Sequence, residues 1–303
     1  AIDKGYLDLS EWDFQTDGVI PLDGEWEFYW NQLYGPDDFP CDDNPLFPTF
    51  PHLWNSLNND SIHKYSNDGY ATYRLQIHYP NQNEILAFKT TDVYSSYRLW
   101  LNGELFAHNG VVGKDKESSK PHWLPTVRSF IHHGDTLELI LQISNFDHSK
   151  GGAHSAFTIG SADDLFTDRE RNMGMEFLLT GALLMGGLFF LGLFLFGRQD
   201  TSVFYFAMFC LVYSYRIIGE GDYYLHQILP NINWQVTVRL EYIALFLSAL
   251  LFMNFVQSVY PKETNRKITV GLKALSAFLI LLTLLSPAKV FTQSVQPFFV
   301  VLM

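Results

Sequence analysis

Two stretches of this chain collect side chains that can recognise a small polar ligand. Residues 109–128 and 145–154 combine an aromatic ring with carboxylate, amide, imidazole and guanidinium groups. These groups donate and accept hydrogen bonds, and the ring offers a flat apolar surface. Gly151 and Gly152 permit close approach of the backbone. The predicted ligand-binding residues are Glu117, Trp123, Arg128, Asn145, Asp147, His148 and His154.

The same side chains also have a purely structural interpretation, which the sequence leaves open. Trp123 can cap a core, and the polar groups can satisfy the turns in which they lie. Trp26 and Trp30 share the alternation phase of Phe28 and are predicted in the core. Trp100 is out of phase with Leu99 and Leu101, so it lies either on the face of the second sheet or in a groove.

Metal and covalent chemistry have little support in the sequence. The ten histidines show no His-x-x-x-His spacing, and Cys-x-x-Cys does not occur, so no zinc site and no cofactor are expected. The Asp-rich stretches 36–38 and 41–43 lack the spacing of an EF-hand, although a structural calcium stays open. Neither a phosphate loop nor a Gly-x-Ser-x-Gly motif is present, and no catalytic residues are predicted.

Alternating segments position these loops. Apolar and polar residues alternate over 71–79 and 137–143, and aromatic residues repeat at every second position over 26–30. Such alternation is typical of half-buried strands. Asn102-Gly103 between two such runs predicts a hairpin. No amphipathic helix of any length competes with these strands, so we expect an all-β sandwich over 1–170.

Charge divides the chain into two unlike parts. Residues 1–176 hold 12 Lys and Arg against 27 Asp and Glu, a net charge of −15, whereas 177–303 have a net charge of +3. We call the acidic first part of the chain the head. Its negative charge repels phosphate backbones, so no nucleic acid partner is expected.

The second part of the chain has the composition of membrane-spanning segments. Residues 177–196 carry no charge, and about 20 apolar residues cross the ~30 Å hydrocarbon core. Residues 171–303 are accordingly predicted as a helical membrane domain with the bilayer as partner. The predicted spans are about 177–196, 202–218, 236–257 and 269–286, with a fifth from about 290.

The short loops between these spans indicate an orientation. Arg198 follows the first span, and Lys262, Arg266 and Lys267 follow the third, whereas the loop 219–235 has neither Lys nor Arg. Positively charged loops stay in the cytoplasm. The sequence therefore predicts that the head lies outside the cytoplasm.

Four charged residues fall near the outer ends of the second and third spans. One interpretation is side chains that snorkel to the interface. The other is a polar cluster through which the helices sense the ligand state of the head. The residues in question are Arg216, Glu220, Arg239 and Glu241.

Several segments of the head resemble one known domain. Residues 22–28 (LDGEWEF), 51–55 (PHLWN), 69–74 (GYATYR), 97–104 (YRLWLNGE) and 133–139 (HGDTLEL) are similar to the jelly-roll sugar-binding domain of beta-galactosidases and beta-glucuronidases. That resemblance implies a galactose-binding-like sandwich and a carbohydrate-like ligand. In those hydrolases the catalytic carboxylates lie on a separate barrel, which this chain does not encode.

This head, followed by several spans, resembles the bacterial seven-transmembrane receptors with diverse intracellular signalling modules. Residues 144–148 (SNFDH), with Gly151-Gly152, are similar to a signature near the end of their outer domain. The resemblance implies a multi-pass protein of the bacterial inner membrane, a periplasmic ligand-sensing head and a cytoplasmic output module. The chain starts without Met and ends within an apolar stretch, so we expect a fragment of a longer protein.

Three functions compete at this stage. A sensor that transmits ligand binding inward is favoured by the order of the parts. A transporter or adhesion component with a sugar-binding head is the alternative, and a membrane-anchored glycosidase is less favoured. The sequence identifies neither the ligand nor the output module, and a homodimer stays open.

Overall fold

The computed structural model describes residues 1–39, 44–57, 65–81, 83–91, 93–197, 200–229, 232–294 and 298. The chain divides into two compact units, Ala1–Glu170 and Arg171–Met303.

Strands dominate the first unit, as the alternation predicts. They are β1 (Tyr6–Asp8), β2 (Ile20–Pro21), β3 (Gly24–Glu25), β4 (Glu27–Trp30), β5 (Thr49–Phe50), β6 (Gly69–His78), β7 (Ile85–Lys89), β8 (Ser96–Leu101), β9 (Glu104–Asn109), β10 (Val127–Ile131), β11 (Thr136–Asn145) and β12 (Thr158–Ser161). One short 3-10 helix, Trp54–Leu57, lies between β5 and β6.

Two main sheets enclose the core of this unit. The first sheet has the order β1-β6-β11-β8-β9, with β4 also paired with β6, and the second sheet has the order β10-β7-β12-β2. β3 and β5 form a small separate pair. Both β9 and β10 are edge strands, which matters for the groove described below.

The core lies between the inner faces of these sheets. Side chains from the first sheet, such as Tyr73 and Leu75, and from the second, such as Phe88 and Ile159, belong to one apolar cluster. Trp26 and Phe28 are fully buried in it and Trp30 packs against it, as their shared phase predicts. The β-sandwich inferred from the alternation is therefore confirmed.

The hairpin at Asn102-Gly103 forms as predicted, and one irregularity follows it. Asn102 and Gly103 both have positive φ, which suits a two-residue turn between antiparallel strands. Leu99 pairs with Ala107 and Trp100 pairs with Leu105, which leaves Phe106 as the extra residue of a β-bulge.

The first unit ends in a helix that the sequence analysis does not predict. Helix α1 covers Ala162–Phe196, so it begins fifteen residues before the apolar run that predicts the first span. Ser161 and Asp164 explain this start: the Ser161 hydroxyl accepts from Asp164 N at 3.1 Å and donates to its carboxylate at 2.8 Å. This capping arrangement satisfies a free N–H of the first turn.

The remaining helices lie in the second unit. They are α2 (Thr201–Gly219), α3 (Tyr224–Ile228), α4 (Trp234–Val259), α5 (Arg266–Leu285) and α6 (Ala288–Phe291). Asp200, Asn233 and Asn265 cap α2, α4 and α5 by accepting a hydrogen bond from the backbone two residues ahead.

Four of the described helices, α1, α2, α4 and α5, are long and apolar enough to cross a membrane. The ends of these helices lie within three residues of the ends of the four predicted spans, except that α1 starts earlier than predicted. The predicted fifth span falls mostly on residues 295–297 and 299–303, which lie outside the described residues, and it stays a prediction.

Candidate functional site

Three of the seven predicted ligand-binding residues, Trp123, His148 and His154, gather around Tyr94. Its ring stacks on His148, with centroids 4.8 Å apart, and contacts His154 at 5.0 Å. Trp123 donates from Nε1 to the Tyr94 carbonyl at 3.0 Å, and the Lys150 ammonium lies 5.8 Å from the Tyr94 centroid. We call these five residues the Tyr94 cluster. The sequence analysis missed Tyr94. Its backbone has a positive φ of 68°, and nothing in the sequence indicates this conformation.

Asn145 holds the second loop together from inside. Its Nδ2 donates to the carbonyls of Asn67, His148 and Lys150 at 2.8, 2.9 and 3.1 Å, and its Oδ1 accepts from His148 N at 3.0 Å. Asn145 is fully buried. These four contacts occupy both ends of the amide, so its observed role is to shape the loop.

The glycine pair serves the same packing. A Cβ on Gly151 would lie 2.2 Å from the Asn67 carbonyl oxygen and 2.5 Å from the Trp54 ring, and Gly152 has a φ of 101°. The close approach for which the glycines were singled out is therefore made to the protein's own residues, Asn67 and Trp54.

His148 is kept neutral by its surroundings. Its side chain is almost completely buried, and burial lowers its pKa from 6.5 to about 4. The charges of Lys150 and His154 lower this pKa as well, while the contact with the Lys150 carbonyl opposes them. Lys150 N donates to Nδ1 at 3.1 Å, which suits an unprotonated Nδ1.

Asp147 and Glu117 differ in environment. The Asp147 carboxylate is mostly buried and lies 3.9 Å from the exposed Lys116 ammonium. Glu117 is exposed, and its backbone N–H donates to Asp115 Oδ1 at 3.1 Å within a turn. Trp123 is 4% exposed, so the exposed rings of this region are those of His154 and, in part, Tyr94.

Arg128 lies apart from the Tyr94 cluster, on the edge strand β10. Its Nη1 donates to the Phe106 carbonyl, and its guanidinium lies 5.4 Å from the centroid of the Phe106 ring. Phe106 is the extra residue of the bulge in β9, and a bulge leaves such a residue outside the ladder. The guanidinium therefore joins the edges of the two sheets.

A groove of about 460 Å³ runs beside this contact, between β9 and β10. Its volume falls within the range of small-molecule sites, about 300–1,000 Å³. Five apolar and five polar residues line it: Leu101, Leu105, Phe106, Phe130 and Ile131, with Asn102, Glu104, Arg128, Ser129 and His133. Apart from Arg128, the sequence analysis did not select these residues, because neither the bulge nor the proximity of β9 to β10 leaves a local pattern in the sequence.

Trp100 is half-buried on strand β8 of the first sheet, on the face opposite to Leu99 and Leu101. It therefore lies neither on the second sheet nor among the residues that line the groove, which were the two predicted places. It pairs with Ile140 on β11 and Leu105 on β9, and the Arg98 guanidinium lies 5.9 Å from its ring. Arg98, on β8, therefore makes another arginine–aromatic contact, outside the groove.

The four charged residues of the membrane part make different contacts. Arg216 pairs with Glu220 one turn later on α2, with 2.7 Å between Nη2 and Oε1. Arg239 reaches from α4 to the end of α5, where Nη1 donates to the carbonyls of Thr283 and Ser286, the latter at 2.9 Å. Glu241 is half-buried two residues further along α4, and residues two apart do not share a helix face.

Metal ligands do not cluster in the described part of the chain: no group of three or more His, Cys, Asp or Glu side chains there could hold an ion. Residues 41–43, one of the two Asp-rich stretches considered for a structural calcium site, lie outside the described residues.

Comparisons with known proteins separate the two units. Residues 172–303 match the sequence model of a family described as 7TM diverse intracellular signalling. No curated protein matches the chain.

Solved structures similar to the chain include three glycoside hydrolases. A GH2 beta-galacturonidase from Eisenbergiella tayi shows 11% identity and a TM-score of 0.34, covering 47% of this chain and 24% of its own. A beta-glucuronidase from Faecalibacterium prausnitzii shows 15% identity, a TM-score of 0.35, and coverage of 46% and 31%. A GH2 member from Bacteroides cellulosilyticus shows 12% identity and a TM-score of 0.36, and the match covers 47% of this chain and 20% of that protein. The chain thus spans less than a third of the length of each.

Proposed function

Because residues 172–303 match the model of the 7TM diverse intracellular signalling family, we propose that this protein is a transmembrane signalling receptor whose β-sandwich senses a ligand. The observation that carries the proposal is the continuity of α1. Its 35 residues begin on the sandwich and end after the first apolar run, without a break. A continuous helix transmits a displacement along its length, because each turn is hydrogen-bonded to the next.

The start of α1 is fixed to the sandwich at two points. The Ser161–Asp164 cap joins it directly to the end of β12. Ala162 and Leu165 form an apolar cluster with Ala87 of β7 and Val127 of β10, and Phe166 packs against it. A shift of the second sheet therefore reaches α1 through side chains in contact.

The proposed orientation places the sandwich outside the cytoplasm of a bacterial inner membrane. The loop between α4 and α5 includes Lys262, and α5 begins with Arg266 and Lys267, whereas the loop between α2 and α4 contains no Lys or Arg. This distribution supports an outer position for the α2–α4 loop and the head. The cytoplasmic partner is then an output module on the other side of the membrane.

We further infer a carbohydrate-like ligand and no catalytic activity of the chain itself. The groove offers hydrogen-bond donors, acceptors and apolar carbon surfaces together, which is what a sugar ring requires. Glycoside hydrolysis uses a pair of carboxylates, and Glu104 is the single carboxylate among the described residues that line the groove. A transporter or adhesion role has no comparable support.

The proposal is tested by labelling Cys210, which is buried in α2, in the whole chain reconstituted in lipid nanodiscs. Cys41 is replaced by Ser in every sample, so that N-ethylmaleimide reports on Cys210 alone. D-glucose, D-galactose, D-glucuronate and maltose serve as probes. We expect at least one of them to change the labelling rate by twofold or more.

A variant with two glycines inserted after Arg171 is the matched control, because glycine weakens the helix interior. It should bind the same probe and lose the change in labelling. A probe that binds the intact chain and leaves the labelling of Cys210 unaltered contradicts a signalling role.

A further inference from the structure

The groove and the seat of α1 share strand β10. Arg128 of β10 lines the groove, and Val127, the residue before it, belongs to the apolar cluster that holds Leu165 of α1. Successive side chains of a strand point to opposite faces. One residue of backbone therefore separates a ligand in the groove from the helix that leaves the sandwich.

β10 is a strand that can respond to such a ligand. It pairs with β7 alone, over Val127–Ile131, and its other edge faces the groove. The contact of Arg128 with the Phe106 carbonyl links it to the first sheet. Phe130 of β10 also contacts the Phe106 ring, with centroids 5.7 Å apart. A ligand that contacts both walls adds to these links, and so alters how tightly β10 is held.

The charges lining the groove are available to a ligand. Among the described residues, neither Arg128 nor Glu104 takes part in an ion pair, although both line the same groove. A guanidinium has five N–H donors, and one hydrogen bond is described for this group. Asn102, Ser129 and His133 add further donors and acceptors.

The hydroxyl groups of a sugar both donate and accept hydrogen bonds. They therefore suit a groove whose lining presents a cation, a carboxylate, an amide and a hydroxyl. Leu105 and Ile131, each more than half exposed, offer carbon surface for the C–H face of a ring. The groove volume, about 460 Å³, admits one or two such rings.

We propose that the groove between β9 and β10 binds a mono- or disaccharide, and that its occupancy is passed to α1 through Arg128 and Val127 of β10. This deepens the receptor function proposed above and rests on it, because it places the sensing site at the β9–β10 edge and not at the Tyr94 cluster. Arg128 contacts the ligand, and Val127 acts as a positioning residue for α1.

The test is hydrogen–deuterium exchange on the whole chain in nanodiscs, with D-glucose, D-galactose, D-glucuronate and maltose as probes. A sugar that binds in the groove should slow exchange in 102–109 and 127–131 and change exchange in 162–170. Affinity is measured on the same samples by titration calorimetry.

Three variants separate binding from transmission. R128Q keeps a donor for the Phe106 carbonyl and removes the charge, and it should weaken binding by about tenfold to a hundredfold. E104Q changes an exposed carboxylate and should weaken binding without loss of folding. V127A should bind with unchanged affinity and lose the response in 162–170.

R98Q is the matched control, because Arg98 also lies over an aromatic ring but outside the groove. It should bind like the unaltered chain. The site assignment is overturned if none of the four sugars binds, if protection appears around 94, 123 and 148 and not in the groove, or if R98Q and R128Q lose affinity equally.

The transmission step is overturned if V127A keeps the response in 162–170. These results stand apart from the receptor proposal: a sugar that protects the groove but leaves Cys210 labelling unchanged contradicts signalling and leaves the site intact.

Discussion

At the scale of single residues, burial decides which polar side chains remain available to a ligand. Asn145 and His148 have the right chemistry for a ligand, yet their side chains are hydrogen-bonded to the protein's own backbone. The sequence could not show this, because their partners Asn67 and Tyr94 come from distant parts of the chain. Residue type therefore indicates where polar groups gather, but it does not show whether they are available to a ligand.

Two histidines, the buried His148 and the half-buried His52, make the stability of the sandwich depend on pH. Burial lowers the pKa of His148 and of His52 from 6.5 to about 4. Between pH 6.5 and 4 the unfolded chain therefore takes up protons that the folded chain does not. Their stabilisation is complete above pH 6.5 and is lost as the pH falls towards 4.

We expect H148N to reduce this dependence, because the Asn oxygen can replace Nδ1 as acceptor for Lys150 N and does not titrate. The fall in thermal midpoint from pH 7 to pH 5, followed by tryptophan fluorescence, should be smaller in H148N than in the unaltered chain. H108N, at an exposed histidine of β9, is the control and should behave like the unaltered chain. An undiminished fall in H148N contradicts the assignment.

At the scale of elements, the ends of strands and helices carry the information that periodicity lacks. Alternation predicts the strands and Asn102-Gly103 predicts the hairpin, because both signals are local. The bulge at Phe106 and the groove beside it depend on how β9 meets β10, two edges of different sheets. The start of α1 was readable in Ser161-x-x-Asp164, although hydropathy alone begins the helix too late.

The end of α5 depends on an arginine of another helix. Arg239 donates to the carbonyls of Thr283 and Ser286, which have no partner further along α5. The Arg216–Glu220 pair lies on one helix, with the Glu220 side chain 41% exposed. Hydrogen bonds of a charged group contribute about 1.5–3 kcal/mol, whereas a pair spaced i,i+4 contributes about 0.5 kcal/mol or less.

We therefore expect R239Q to lower the thermal midpoint of the chain in detergent micelles clearly more than R216Q does. Hydrogen exchange near 282–291 should rise in R239Q and stay unchanged in R216Q. Equal effects of the two substitutions contradict a specific role for Arg239 at the end of α5.

At the scale of the whole molecule, composition predicts the most. The contrast between an acidic, alternating head and long apolar runs is enough to separate a β-sandwich from membrane helices, because each responds to its own solvent. The family match over 172–303 confirms the resemblance drawn from the order of these parts. Composition does not give the ligand, since a ligand is read by a few side chains brought together by folding.

The proposed orientation predicts which loops are reachable from outside the cell. In spheroplasts of cells expressing the chain, with both native cysteines replaced, D222C should react with a membrane-impermeant maleimide. K262C should react after permeabilisation alone. The reverse pattern contradicts an outer position for the head, and reaction of both before permeabilisation shows a leaky preparation that must be repeated.

The unbroken course of α1 also sets a rule for changes in chain length. Each residue of an α-helix turns the next by about 100°, so one residue added between Glu170 and Phe177 rotates everything beyond it, while seven residues restore nearly the same angle. If the helix carries the signal, relatives should vary in this stretch by steps of about seven residues. An engineered exchange of heads between such proteins would then succeed or fail by rotational phase more than by sequence similarity.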